Sequence, residues 1–178
     1  MNLVHLLPVG AIAASLLEDL REALPKRLPV RCEILALRLD PKPSYHAERQ
    51  QFHSSEMLER MQNLVRPRDW RFLAVTDVDL YIPILKYVFG EAQMGGSSAV
   101  VSYHRLRQEF YGLPPDLDLL ANRLLIESVH ELGHTLHLTH CDDFQCAMAP
   151  SHAVEYIDIK DSGFCENCLA KVELLSLA

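Results

Sequence analysis

A chain of 178 residues, 49% hydrophobic and 23% charged, is long enough to close one core of its own and ordinary in composition for a globular domain. A net charge of −7 argues against a nucleic-acid partner, which would call for a basic face. No apolar run is long enough to span a bilayer, and the apolar start has no Lys or Arg ahead of it, so neither a membrane span nor a secretion signal is expected and the compartment is expected to be cytoplasmic.

In chain order, residues 3–7 read as a strand, Pro8-Val9-Gly10 as a turn, and residues 11–24 as an amphipathic helix with Leu16, Leu17, Leu20 and Leu24 on one stripe. Residues 30–39 alternate as a second strand, which Asp40-Pro41-Lys42-Pro43 ends. Residues 44–53 read as a polar loop. Its His46 and His53 are expected to face solvent and are not counted as ligands, while Arg49 is a candidate structural residue. Ser54 is expected to cap a second helix whose buried stripe is Met57, Leu58, Met61, Leu64 and Val65.

Residues 70–76 form a third strand, and the order β-α-β-α-β favours helices packed on a mainly parallel sheet. Asp77 and Asp79, in the turn that follows, are expected to cap backbone donors rather than to bind a cation. Residues 83–90 are strand or loop, Gly95-Gly96 is a break, and residues 97–103 form a strand rich in Val and Ser. Pro114-Pro115-Asp116 starts a long helix with Asp116 as N-cap and Leu125, Val129, Leu132 and Leu136 facing the core. Glu127 lies one turn before the motif described next, either orienting a histidine or solvated. After Pro150 the pattern is irregular over residues 151–161, where Tyr156 is a weak candidate for the site, and residues 165–175 read as a final helix.

Residues 130–140 read HELGHTLHLTH. His130 and His134 at i and i+4 share one helix face with a rise of about 6 Å between them, which suits two rings converging on one ion. Glu131 can reach a water on that ion. Zinc lowers the pKa of such a water to about 7, so a carboxylate can take its proton, which is the chemistry of metal-assisted amide hydrolysis. The third ligand has two candidates, His137 and His140. On a continuing helix His137 would sit about 10 Å along the axis from His130, too far for one ion, so the chain has to leave the helix after His134 and turn back. His140 is far enough along to do so, and His137 is kept as the alternative.

Of five cysteines, Cys141, Cys146, Cys165 and Cys168 form two short-spaced pairs, as in a structural zinc site built from four thiolates. Cys32 is left over as an inert thiol. Cys141 directly follows His140, so a second ion would hold the third histidine in place.

This combination of His130, Glu131, His134, His140, Cys141, Cys146, Met148, Cys165 and Cys168 resembles the archaemetzincins. Stretches outside it are similar too: Thr76-Asp77-Val78-Asp79-Leu80, Tyr87-Val88-Phe89-Gly90 and Phe110-Tyr111-Gly112-Leu113-Pro114. Two departures stand out. His137 replaces the glycine of the motif, and 16 residues lie between Met148 and Cys165, one fewer than the family's usual gap.

The resemblance implies a zinc peptidase of the α/β (α+β) class in one metzincin-like domain over residues 1–178, with two Zn2+. It implies a twisted, mostly parallel sheet with an antiparallel edge strand above the cleft, for which residues 97–103 are the candidate. Residues 1–140 would supply the sheet and active-site helix, and residues 141–178 the Met-turn at Met148 and the structural zinc. Glu131 would be the general base, His130, His134 and His140 the catalytic ligands, and the substrate a peptide or small protein cleaved by a monomer. The alternative is a zinc-binding interaction protein whose catalytic site is impaired by His137.

Overall fold

The computed structural model describes residues 3–63 and 70–176. Strand β1 is Leu3–Val9, followed by helix α1, Ala14–Ala23, and strand β2, Arg31–Ile34. Strands β3, Tyr45–His46, and β4, Gln51–His53, lead into helix α2, Ser54–Gln62. Strands β5, Trp70–Thr76, β6, Leu80–Tyr81, β7, Gly90–Ala92, and β8, Ser98–Ser102, come before the long helix α3, Leu117–Thr135. Helices α4, Val154–Asp158, and α5, Glu166–Ser176, complete the described chain.

The main sheet runs β2-β1-β5-β8-β7 and is parallel except for β7, which lies antiparallel to β8 at one edge. Its strands carry near-continuous apolar runs because both faces are covered. Val4, Leu6, Leu73, Val75, Ala99 and Val101 point towards α1 and α3, while Leu7, Val9, Phe72, Ala74 and Val100 point towards Met57, Leu58 and Met61 of α2. Burying one Leu or Met side chain in such a layer contributes about 1.5–3 kcal/mol, so the position of α3 is set by the sheet beneath it. No helix among the described residues is long and apolar enough to cross a membrane.

Several sequence expectations need correction. Strand β1 runs through Pro8 and Val9, and only Gly10, at φ +77°, turns the chain; the proline fits because β2 stops opposite Leu6. Helix α1 accordingly begins at Ala14 rather than at residue 11. β2 ends at Ile34, and Leu39 rejoins the sheet through single bonds to Pro8 and Gly10. Residues 44–53 are not a loop: β3 and β4 form a hairpin that joins β6 in a second small sheet, strands of two or three residues being too short to show a period.

Ser54 is the first residue of α2 and does not cap it; its hydroxyl donates to the Tyr81 carbonyl and to the Glu91 carboxylate. Leu64 and Val65 lie outside the described residues. Most consequential for function, residues 98–102 are an interior strand, buried throughout, and the antiparallel edge is β7. Asp79 neither caps the turn nor stands free for a cation, because Arg105 grips it through two bonds of 2.6 and 2.7 Å. Arg49 is structural, donating to the Leu85 and Lys86 carbonyls with its guanidinium 4.0 Å from the centre of the Tyr81 ring.

Candidate metal centre

Asp116 caps α3 as its sequence predicts, accepting a 2.9 Å bond from the Leu119 amide. The helix ends in a Schellman turn: the Leu138 amide bonds the Gly133 carbonyl and the His137 amide bonds the His134 carbonyl, at 3.1 Å each. His137 holds the left-handed position at φ +65°, the place a glycine usually takes. Its ring packs on the backbone of Gly95, where a Cβ would overlap the imidazole. His137 is exposed and lies outside the cluster of converging histidines. The turn it makes returns His140 to the helix face.

Ligand atoms of His130, His134 and His140 lie within 4.8 Å of one another. His130 donates from Nδ1 to the Ala147 carbonyl and His134 from Nδ1 to the Leu138 carbonyl, both at 2.7 Å. With Nδ1 carrying the proton in each ring, both Nε2 atoms are lone pairs, and they face each other at 3.1 Å. Two acceptors at that distance repel unless a cation lies between them. Two atoms about 2.0–2.1 Å from one zinc at tetrahedral angles stand about 3.3 Å apart, so the residues fit the ion. Burial pushes His130 well below the usual imidazole range and lowers His134 and His140, so all three favour the neutral form that binds metal.

Glu131 is buried, packed so closely on Gly90 of β7 that no side chain fits at position 90. Burial, with Glu127 and Glu91 nearby, pushes its carboxyl well above the ordinary range. Glu127 is neither solvated nor bonded to a histidine. It is buried, and its Oε1 lies 3.6 Å from Lys160 Nζ. Lys160 is a participant that sequence reasoning missed: it is buried, donates to the Ala149 carbonyl at 2.5 Å, and reaches the same Ala147 carbonyl that orients His130. A single lysine in an irregular segment carries no periodicity or spacing to reveal this. Tyr156 is exposed and does not line the cleft.

The cleft has a volume of about 730 Å3 and is bordered by His130, Glu131, His134, His140, Gly90 and Glu91. Met148 lies beneath the site, its sulfur against Gly133 so that no Cβ fits there. The Cys141 amide donates to the Met148 carbonyl at 3.0 Å, tying the two ends of the turn.

Below this turn Cys141, Cys146, Cys165 and Cys168 bring their sulfurs within 4.8 Å of one another. The Cys141 and Cys165 sulfurs are 3.8 Å apart, as far as two thiolates about 2.3 Å from a tetrahedral zinc would be. Backbone amides of Met148 and Cys165 donate to Cys146 Sγ at 3.4 and 3.3 Å, bonds that favour a thiolate. All five cysteines are free thiols, and burial pushes Cys32 up to about 12, which fits an inert side chain.

A family model for peptidase family M54 matches residues 13–174. The archaemetzincin of Methanocaldococcus jannaschii is 39% identical over 166 residues, 93% of this chain and 90% of its own length. That of Thermococcus kodakarensis is 35% identical over 97% of this chain and 96% of its own. Among solved structures, an archaemetzincin from Archaeoglobus fulgidus complexed with malonate superposes with a TM-score of 0.81 at 32% identity, covering 95% of this chain and 99% of that one. A zinc-dependent peptidase from Methanocorpusculum labreanum does so at 0.84 and 28%, with the same coverage.

Proposed function

The chain belongs to peptidase family M54, the archaemetzincins, a family of zinc-dependent peptidases, and from that premise we propose that it hydrolyses peptide bonds with Glu131 as general base at a zinc held by His130, His134 and His140. The observation that carries this reading is the pair of facing Nε2 lone pairs, each fixed by a carbonyl on the far side of its ring. Held by these three imidazoles, a zinc ion would supply Lewis acidity towards a carbonyl and a water that is nucleophilic at neutral pH. Glu131 takes the proton of the attacking water and passes it to the departing amine. Its closed surroundings keep the carboxyl basic, and Gly90 keeps the approach to it open.

Strand β7 offers its unpaired edge at the same cleft. An extended peptide can add there by main-chain hydrogen bonds, which give affinity with little demand on sequence. Leu85, Val88 and Met94 along the walls favour apolar side chains. Cys141, Cys146, Cys165 and Cys168 would hold a second, structural zinc and so fix His140 through the adjoining peptide bond. One chain supplies the residues of both sites, which suits a working monomer, a single domain whose residues 141–178 clasp the site presented by residues 1–140. Four thiolates kept for metal suit a reducing, cytoplasmic compartment. Removing metal with a chelator is expected to abolish peptide cleavage and added Zn2+ to restore it; cleavage that persists after complete metal removal contradicts the proposal.

The rival reading, an interaction protein impaired by His137, makes a different prediction. His137 occupies its turn through backbone bonds and packs away from the three histidines. Replacing it with glycine relieves a left-handed conformation worth about 1 kcal/mol and gives back a similar amount in chain entropy. His137→Gly is therefore expected to leave kcat/KM within about threefold of the parent. A gain of a hundredfold would favour the impaired site.

A further inference from the structure

His46 and His53 read from the sequence as solvent-facing, yet the β3–β4 hairpin and the first turn of α2 bring His46, His53 and Glu56 to one point, with ligand atoms within 4.8 Å. The geometry points to a third metal site, in which His46 Nε2, His53 Nδ1 and a Glu56 carboxylate oxygen hold a divalent transition-metal ion such as Zn2+, apart from the catalytic cleft.

His46 Nε2 and His53 Nδ1 stand 3.1 and 3.2 Å from the same atom, Glu56 Oε1. Those separations match the roughly 3.3 Å between two ligands of a tetrahedral zinc. The His53 contact has the distance of a hydrogen bond without its direction, and neither buried ring nitrogen of His53 makes a hydrogen bond among the described residues. His46 Nε2 is itself hydrogen-bonded to Glu56 Oε1, so it is His53, brought to the same carboxylate oxygen with no hydrogen bond of its own, that marks the point where an ion would sit. The far nitrogen of His46 is 2.6 Å from the Tyr81 hydroxyl, a contact that holds the ring from behind. His53 stacks on the same tyrosine ring at 5.2 Å.

Backbone strain points the same way. Among the described residues only two non-glycine positions have positive φ: His137, in the turn that returns His140, and Gln50, in the turn between His46 and His53. In both places a strained turn brings a histidine back towards its partners. Two imidazoles and a carboxylate suit zinc and its first-row neighbours, with the remaining positions left to solvent because His46 and Glu56 are half-exposed. A bound ion would cross-link the hairpin to α2. Next to His53, Ser54 and Ser55 donate to Glu91 of β7, and Arg49 within the hairpin holds the Leu85 and Lys86 carbonyls at the cleft rim. The site therefore braces the wall that carries the substrate edge.

The test is zinc stoichiometry of the full chain after equilibrium dialysis against buffered Zn2+, for the parent, His46→Gln and Glu56→Gln. Each variant is expected to bind one zinc per chain fewer than the parent while keeping its fold by circular dichroism. As a second readout, Zn2+ is expected to shift the imidazole nitrogen resonances of His46 and His53 in the parent. Equal stoichiometry in parent and variants, or imidazole resonances of His46 and His53 that do not respond to Zn2+, would overturn the assignment.

Discussion

Glu131→Gln is expected to lower kcat by about two to four orders of magnitude, the range for losing a positioned general base, while zinc content stays that of the parent. Glutamine keeps the shape packed against Gly90 and cannot take a proton. The three imidazoles are held by α3 and its returning turn, not by Glu131, so the ion has no reason to leave. The same variant makes a second, independent statement in chelator-treated protein. Glu131 has a folded pKa well above the ordinary value, chiefly through burial, with Glu127 and Glu91 adding to it. A group raised in this way adds stability below its unfolded pKa, about 4.3, and loses it as pH rises through the folded value. Glutamine has no charge to bury. Metal-free Glu131→Gln should therefore be more stable than metal-free parent at neutral pH, with the difference closing below about pH 4. Denaturant titration at both pH values measures it, and undiminished turnover in the zinc-loaded variant would remove Glu131 from the mechanism.

Cys165→Ser is expected to have the largest effect on the fold. Structural zinc contributes about 10–16 kcal/mol in small zinc domains, as much as the whole stability of a typical domain. Here the sulfurs pack with Leu138, Met148 and Phe164 in one small cluster directly under the site. Without the ion, that cluster keeps too little apolar surface to hold residues 138–168 in place. His140 loses its anchor at Cys141, and Met148 its tie to the same residue. The expected result is loss of one zinc, a much earlier thermal transition and no cleavage. Cys32→Ser, remote from the cluster, serves as the control and should change little. A Cys165→Ser protein with the melting temperature and activity of the parent would show that the four cysteines have no structural role.

The candidate centre was legible because its chemistry is local. Spacing alone places His130 and His134 on one face, forces the chain to leave the helix before a third ligand, and pairs the cysteines. Asp116 and the apolar stripe of α3 are likewise short-range signals. What stayed hidden depends on contacts between segments far apart in the chain. Lys160 reaches Glu127 and the Ala147 carbonyl across the fold. Gly95-Gly96 reads as a simple break, yet Gly95 makes room for the His137 ring. Residues 97–103 read as the edge strand because three residues at 90–92 show no period, while the Ala-Val-Val run of β8 is that of a strand covered on both faces. His46 and His53 looked isolated for the same reason: a hairpin of two- and three-residue strands brings them together, and no pattern of that length is visible in sequence.

The most direct test of the account is cleavage of an unbiased peptide library by the zinc-loaded chain, followed by mass spectrometry, with His140→Ala measured alongside. The account predicts new termini produced by the parent, enriched in apolar residues beside the cut, and none above background with His140→Ala. No cleavage by a parent whose three-histidine site is shown to hold zinc would contradict it and leave the interaction-protein reading in its place.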